Sequence, residues 1–274
     1  MKRIFDCHIH CSERKDDALI SYARMNGLRY NLEELLEMME ESDVESGLLL
    51  SPPLQNGSPA PNQNMIELCE KSRDHLFPIV TVEPTRQKVG AAIEIARKNK
   101  GFVQGFKILL GYFPNYPYDK VYSKIYDYAL EQDLPVMFHT GDTASSDGSL
   151  EHSHPIHLDV LSNRLKDLKI VICHFGNPWF KDTAELLYKH PNVYADISGL
   201  FAGGGDYSKQ YREYLAQDLS ESIYYAGSAR KILFGTDYPI ERYEDALGLV
   251  NKLKIKQRDI QRILRDNAKQ VFKQ

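Results

Sequence analysis

Lys169-Ile170-Val171-Ile172-Cys173-His174-Phe175-Gly176 is an apolar, β-branched run that gives way to a histidine and then a glycine. A strand with one wet face alternates apolar and polar residues, whereas a strand covered on both faces reads as an unbroken apolar run. Ile170-Val171-Ile172 is of the second kind. It predicts a parallel strand sheathed by helices, with His174 placed where strand yields to loop. The same signature recurs outward from it in both directions. Strands are predicted at 5–10, 46–52, 76–84, 103–111, 135–141, 169–176, 193–199 and 231–239. Between them, apolar residues recur with helical spacing, as at Leu32, Leu35, Leu36 and Met39. Further helices are expected over 61–74, around Ala91 and Ile95, from Val121 to Ala129, near 156–166, 180–189 and 208–228, and in a closing pair near 242–254 and 257–272. The stretch from Cys11 to Asn31 is polar and poorly patterned, and Tyr112 to Pro117 is too rich in proline for either element.

Eight strand–helix units in 274 residues predict one α/β domain over residues 1–274, a (β/α)8 TIM barrel with an extra C-terminal helix. No Gly-x-Gly-x-x-Gly follows the first strand, which argues against a dinucleotide-binding sheet. The 34 basic and 38 acidic residues are interleaved, for a net charge of -4. That balance supplies neither a basic stripe for nucleic acid nor a polybasic membrane patch, so a small-molecule substrate is expected, with a homodimer left open. Met1-Lys2-Arg3 opens like a signal peptide, but Asp6, His8 and His10 interrupt its would-be apolar core, and no run reaches transmembrane length. Cys7, Cys11, Cys69 and Cys173 form no Cys-x-x-Cys pair. They read as reduced, buried thiols in a cytoplasmic protein.

Barrel active sites lie where strands end and their loops begin, so the predicted strand ends are informative together. The first carries His8 and His10, the fourth Lys107, the fifth His139, the sixth His174 and the eighth Asp237. Six metal-capable or ionisable groups from separate parts of the chain meet at one mouth, a placement that packing alone does not explain and metal binding does. Alternation puts Asp6, His8 and His10 on one strand face and Cys7 and Ile9 on the other. Asp6 is then either an acceptor for a histidine ring N–H or a carboxylate in barrel packing. Alternation also turns Lys107 inward, with Gly105 and Leu109 and opposite Phe106 and Ile108. His152, His154 and His157 resemble a second cluster by composition, but a solvated loop before a helix start near Pro155 explains them better. Trp179 and the aromatics of 112–118 either wall a pocket or pack their loops, and Gly203-Gly204-Gly205 suits flexibility better than phosphate binding. His75 and His190 precede strands and belong to the opposite face.

Four stretches carry a resemblance: Phe5-Asp6-Cys7-His8-Ile9-His10, the run from Lys169 to Trp179, Leu233-Phe234-Gly235-Thr236-Asp237-Tyr238-Pro239, and Asp266 to Phe272. Together they resemble the amidohydrolase-related branch of the metal-dependent amidohydrolase superfamily, which holds hydrolases and non-oxidative decarboxylases such as aminocarboxymuconate semialdehyde decarboxylase. The resemblance implies one divalent ion on His8, His10, His139 and Asp237, with zinc expected and manganese the alternative. It implies catalytic roles for His174 and Asp237. Lys107 is expected to bind substrate through a carboxylate; a carboxylated Lys107 bridging a second ion, as in phosphotriesterase-like members, and a purely structural lysine are the alternatives. The expected activity is hydrolysis of a small carboxylic ester, lactone or amide by metal-activated water. Decarboxylation of an unsaturated or aromatic acid is the alternative, and a non-catalytic metal-containing binding protein the second.

Overall fold

The apolar runs form strands that are shorter than their sequence signatures, because a ladder ends where neighbouring backbones diverge while burial continues into the loops. The computed structural model describes residues 3–55, 57–143, 145–202 and 207–274. Among these, the strands are β1 Ile4–His10, β2 Val44–Leu50, β3 Leu76–Val82, β4 Gly105–Ile108, β5 Val136–Phe138, β6 Ile170–Ile172, β7 Val193–Asp196 and β8 Ile232–Leu233. They lie in sequence order, and each pairs in parallel with the next. The last step closes back on the first: Cys7 N–H donates to Phe234 O (2.9 Å), Asp237 N–H to His8 O (2.7 Å) and His10 N–H to Tyr238 O (2.8 Å). The architecture is the expected (β/α)8 barrel.

Helices α1 Ile20–Met25, α2 Leu32–Glu41, α3 Asn62–Lys71, α4 Arg86–Lys98, α5 Ser123–Gln132, α6 Leu150–Ser153, α7 His157–Arg164, α8 Phe180–Lys189, α9 Lys209–Tyr225, α10 Tyr243–Lys252, α11 Gln257–Gln261 and α12 Asn267–Phe272 connect the strands and finish the chain. Several begin on a side chain that accepts an otherwise unpaired N–H: Asn31 for α2, Thr85 for α4 and Ser208 for α9. Helix α1 lies in the stretch expected to be unpatterned. Its short, mixed sequence, with Ala23 buried, carries too few turns for periodicity to show. The predicted final helix is real but interrupted: Arg262–Asp266 widens into a π segment between α11 and α12. There the Ile263 carbonyl accepts from Phe234 N–H (3.0 Å), which docks the C-terminal helices under the end of β8.

Two apolar layers result. Residues such as Leu49, Val80, Phe106, Phe138 and Ile172 face the helices. Phe5, Cys7, Leu48, Ile79, Met137, Val171 and Leu233 fill the barrel, continuous with Ala268, Val271 and Phe272 of α12, which seal its N-terminal end. One expectation fails here. Asp6 pairs with Gly47 but Ile9 with Leu49, so β1 advances three residues against two on β2. This bulge breaks the alternation, placing Cys7 inside the barrel and Asp6 on the outer side, where its carboxylate accepts from Thr236 N–H (3.2 Å) and Thr236 Oγ1 (2.7 Å). Gly203-Gly204-Gly205 lies outside the described residues.

Candidate active site

His8 and His10 leave β1 at the mouth of the barrel, both nearly fully buried. Their ring contacts fix which nitrogen is left free. His10 Nδ1 lies 3.0 Å from the Leu50 carbonyl, which can only accept, so Nδ1 carries the hydrogen and Nε2 the lone pair. His8 Nδ1 lies 3.1 Å from Asp196 Oδ2, which imposes the same tautomer. Both Nε2 atoms face Asp237 Oδ1, at 3.3 Å from His8 and 3.1 Å from His10. The ligand atoms of these three side chains all lie within 4.8 Å of one another. Lone pairs and a carboxylate oxygen crowded together in a buried site need a positive centre among them, and the nitrogen and oxygen donor set suits a divalent ion such as zinc. The residues fit the group.

A second pair completes the mouth. His139, just past β5, has its Nε2 3.0 Å from Asp142 O and its Nδ1 3.2 Å from His174 Nε2. His174 Nδ1 in turn lies 3.1 Å from Ser198 O. Both carbonyls are acceptors, so the two facing nitrogens are again lone pairs that need a proton or cation between them. His139 therefore reaches the cluster through Nδ1 and beside His174, rather than within the tight group of His8, His10 and Asp237. His174 does not end a strand as expected. It sits in a 3-10 turn, Cys173–Gly176, with φ 59°, and Asp237 has φ 58°. Left-handed backbone at non-glycine residues costs about 1–3 kcal/mol and persists only where surroundings enforce it. Here it leaves His174 facing His139 and Asp237 facing His8 and His10.

Burial governs the charge states. It pushes His8 down to about 4, with the charge of Lys107 adding to the effect, and holds His139 well below its ordinary value together with His174. Both rings are thus neutral at pH 7, the form that ligates metals. Burial alone would raise Asp237 and Asp196, but for Asp237 the His8 charge and the His10 hydrogen bond outweigh it, and for Asp196 His8, His174 and Lys107 do. Both carboxyls stay well below the usual range.

Lys107 points inward as expected, only 2% exposed, with Nζ 2.8 Å from Cys173 Sγ and 3.5 Å from His8 Nε2. No carboxylate lies within 4 Å of it among the described residues. Asp196, at the end of β7, was missed by sequence reasoning, since an aspartate closing Val193-Tyr194-Ala195 looks like a cap. It does what was expected of Asp6, holding the ring of His8. Tyr22 was missed too, for lack of a helical signal in α1. It joins Tyr112, Tyr207, Tyr211, Leu200 and Ile240 around a cavity of about 270 Å³ whose floor includes His139, His174 and Asp237. That lining contains no lysine or arginine among the described residues. Trp179 packs on His154 (4.3 Å between ring centroids) rather than in the cavity. His152 bonds Ser149 Oγ and His157 bonds Glu151 O, and these histidines form no ligand group among the described residues. His75 bonds Glu45 O, and His190 bonds Asp159, away from the mouth.

A family model described as amidohydrolase matches residues 5–274. The chain belongs to the amidohydrolase family. It is therefore an enzyme of a metal-dependent superfamily, and the non-catalytic reading falls away. Comparison with the curated proteins finds no match. Among solved structures, 2,6-dihydroxybenzoate decarboxylase from Rhizobium shares 20% identity at a TM-score of 0.71, over 100% of this chain and 99% of that one. A probable 2-pyrone-4,6-dicarboxylic acid hydrolase from Acinetobacter baumannii shares 18% at 0.72, over 99% and 100%. A dihydroxybenzoic acid decarboxylase from Polaromonas sp., solved with manganese and 2-nitroresorcinol, shares 18% at 0.71, over 100% and 97%. At these identities the likeness is one of fold.

Proposed function

We propose that this amidohydrolase is a metal-dependent hydrolase of a small carboxylic ester, lactone or amide, with His8, His10, His139 and Asp237 holding one ion, zinc or manganese. The observation that carries the reading is the division of labour within Asp237. Its Oδ1 faces the two Nε2 lone pairs, while its Oδ2 lies toward His174 Nδ1 (3.9 Å) and the side chain borders the cavity. A divalent ion held there polarises a carbonyl and lowers the pKa of water to about 7. Asp237 Oδ2 is placed to take the proton of the attacking water and deliver it to the leaving oxygen or nitrogen as the acyl bond breaks. His174 is placed to orient the water or polarise the carbonyl.

One observation favours decarboxylation as the second reading. Four tyrosines wall the cavity, which suits a flat unsaturated ring, and the lining holds no lysine or arginine among the described residues. A substrate carboxylate would then be bound at that cluster, and a proton delivered through Asp237 would replace carbon dioxide on the carbon as the C–C bond breaks. In either reading the substrate is compact and carries at most one carboxylate, because a second would be left without a partner. The proposal places the protein in the cytoplasm, supported by four buried cysteines that are all free. Among the described residues no helix is long and apolar enough to cross a membrane.

The test is turnover of esters, lactones, amides and aromatic or unsaturated acids by zinc- and manganese-loaded protein, with products identified. Hydrolysis products support the first reading and carbon dioxide the second. Chelation should abolish turnover and added metal restore it; undiminished activity in metal-free protein would overturn both.

A further inference from the structure

Ser198 lies just past β7, fully buried, with its hydroxyl 2.6 Å from Asp196 Oδ1, 3.0 Å from His8 Nδ1 and 3.0 Å from His174 Nδ1. A hydroxyl has one hydrogen and two lone pairs. Asp196 Oδ1 already accepts from His174 N–H (2.8 Å) and Ser198 N–H (3.1 Å), so it acts as an acceptor and receives the hydroxyl hydrogen as well. The lone pairs are left for the two rings, and each ring must then present an N–H at Nδ1. Second acceptors enforce the same choice: Asp196 Oδ2 for His8 and Ser198 O for His174. The rings lie 5.0 Å apart, tilted by 34°.

We propose that Ser198 is a positioning residue that joins His8 and His174 into one unit, holding both in the Nδ1–H tautomer so that both Nε2 lone pairs turn to the ion and the substrate. The inference rests on the metal-dependent reading only in assigning work to those Nε2 atoms; the tautomers themselves are independent of it. A serine that merely filled space beneath the rings would leave each held at Nδ1 by its other acceptor alone, with nothing joining the two. Asp196 alone cannot serve both, since its Oδ2 reaches His8 and its link to the His174 ring runs through the hydroxyl.

Nitrogen NMR of histidine-labelled full-length protein, metal-free and then titrated with zinc, reads this directly. In the native protein both rings should show a protonated Nδ1, and with zinc bound an unprotonated Nε2. Ser198→Ala keeps the carbonyl of residue 198 on His174 Nδ1 but removes the hydroxyl that both rings share, so the Nδ1 signals of His8 and His174 should both move and zinc binding weaken by about 10–100-fold, as loss of an outer partner of a ligand typically does. With an identified substrate, kcat should fall more than KM. Ser198→Cys keeps the volume but is a poor acceptor, and it carries the test where the alanine variant folds badly. Native tautomer signals and native zinc affinity in either folded variant would overturn the proposal. If the native protein takes up no zinc, the metal-dependent reading fails, while the tautomer signals still decide the role of Ser198.

Discussion

Lys107 is the residue whose chemistry is most sharply testable, because its two candidate states predict opposite signs. An ammonium with its Nζ 3.5 Å from His8 Nε2 repels a dication beside it, as it already disfavours a proton on His8. Lys107→Met should then tighten binding of a single ion. A carboxylated lysine bridging two ions predicts the reverse: two ions per chain in bicarbonate, lost on substitution. Metal analysis of both proteins distinguishes them. Asp237 and His174 separate by the same logic. Asp237→Ala removes the carboxylate that faces both Nε2 atoms, so metal content and activity should both vanish with the fold retained. His174→Asn should keep the ion and lose about 10²–10⁴-fold in rate, the usual worth of an acid–base group. Loss of the ion from the asparagine variant would make His174 a ligand instead.

The element scale is set by how the loops that follow β7 and β8 are tied together. Gly199, at φ 65°, passes so close to the site that a Cβ there would lie 2.8 Å from Asp237 Oδ2 and 3.1 Å from His174 Nδ1. Glu241 anchors this loop from the other side, its Oε2 accepting from Leu200 N–H (3.0 Å) while Oε1 meets no partner among the described residues. Burial pushes its carboxyl well above the ordinary value of 4.5. The folded state therefore holds a proton that the unfolded chain gives up, and stability contributed by Glu241 is complete below pH 4.5 and falls as pH rises toward the folded value. Denaturant unfolding across this range should show a shallower decline for Glu241→Gln, which keeps the acceptor without the charge. Below pH 4.5 Glu241→Leu should cost about 1–3 kcal/mol by stranding the Leu200 N–H, a cost that shrinks as pH rises. An unchanged slope in the glutamine variant would remove Glu241 from the account.

At the scale of the whole molecule, the two ends of the barrel differ, the candidate ligand group lying at one and an apolar seal closing the other. Phe272, 2% exposed, packs with Ala268 and Val271 of α12 into the same apolar cluster as Phe5, Leu48 and Val171. Phe272→Ala should cost about 3–5 kcal/mol, seen as a lower denaturant midpoint, while metal content of the folded fraction stays unchanged. Coupled loss of metal at full folding would mean that the plug reaches the site directly. At the mouth, a bound ion at a hundredfold excess over its dissociation constant should add about 2.7 kcal/mol of stability, removable by chelation.

The barrel itself was legible in the chain. Apolar runs such as Ile170-Val171-Ile172, separated by helical spacing, specify strands covered on both sides, and period alone carries that information. The convergence of His8, His10, Lys107, His139, His174 and Asp237 was legible for the same reason, since strand ends of a parallel barrel share one face. What the tertiary structure decided is how those groups are held. The bulge in β1, visible only in its pairing with β2, turns Asp6 away and hands its expected part to Asp196. Tyr22 reaches the cavity on a helix too short to show periodicity, and Ser198 acquires its two histidine partners from β1 and the turn after β6. Such contacts join residues up to 190 positions apart. Local periodicity sets which face a residue takes within its own element, but only closure of the barrel brings the ends of separate elements within hydrogen-bonding distance.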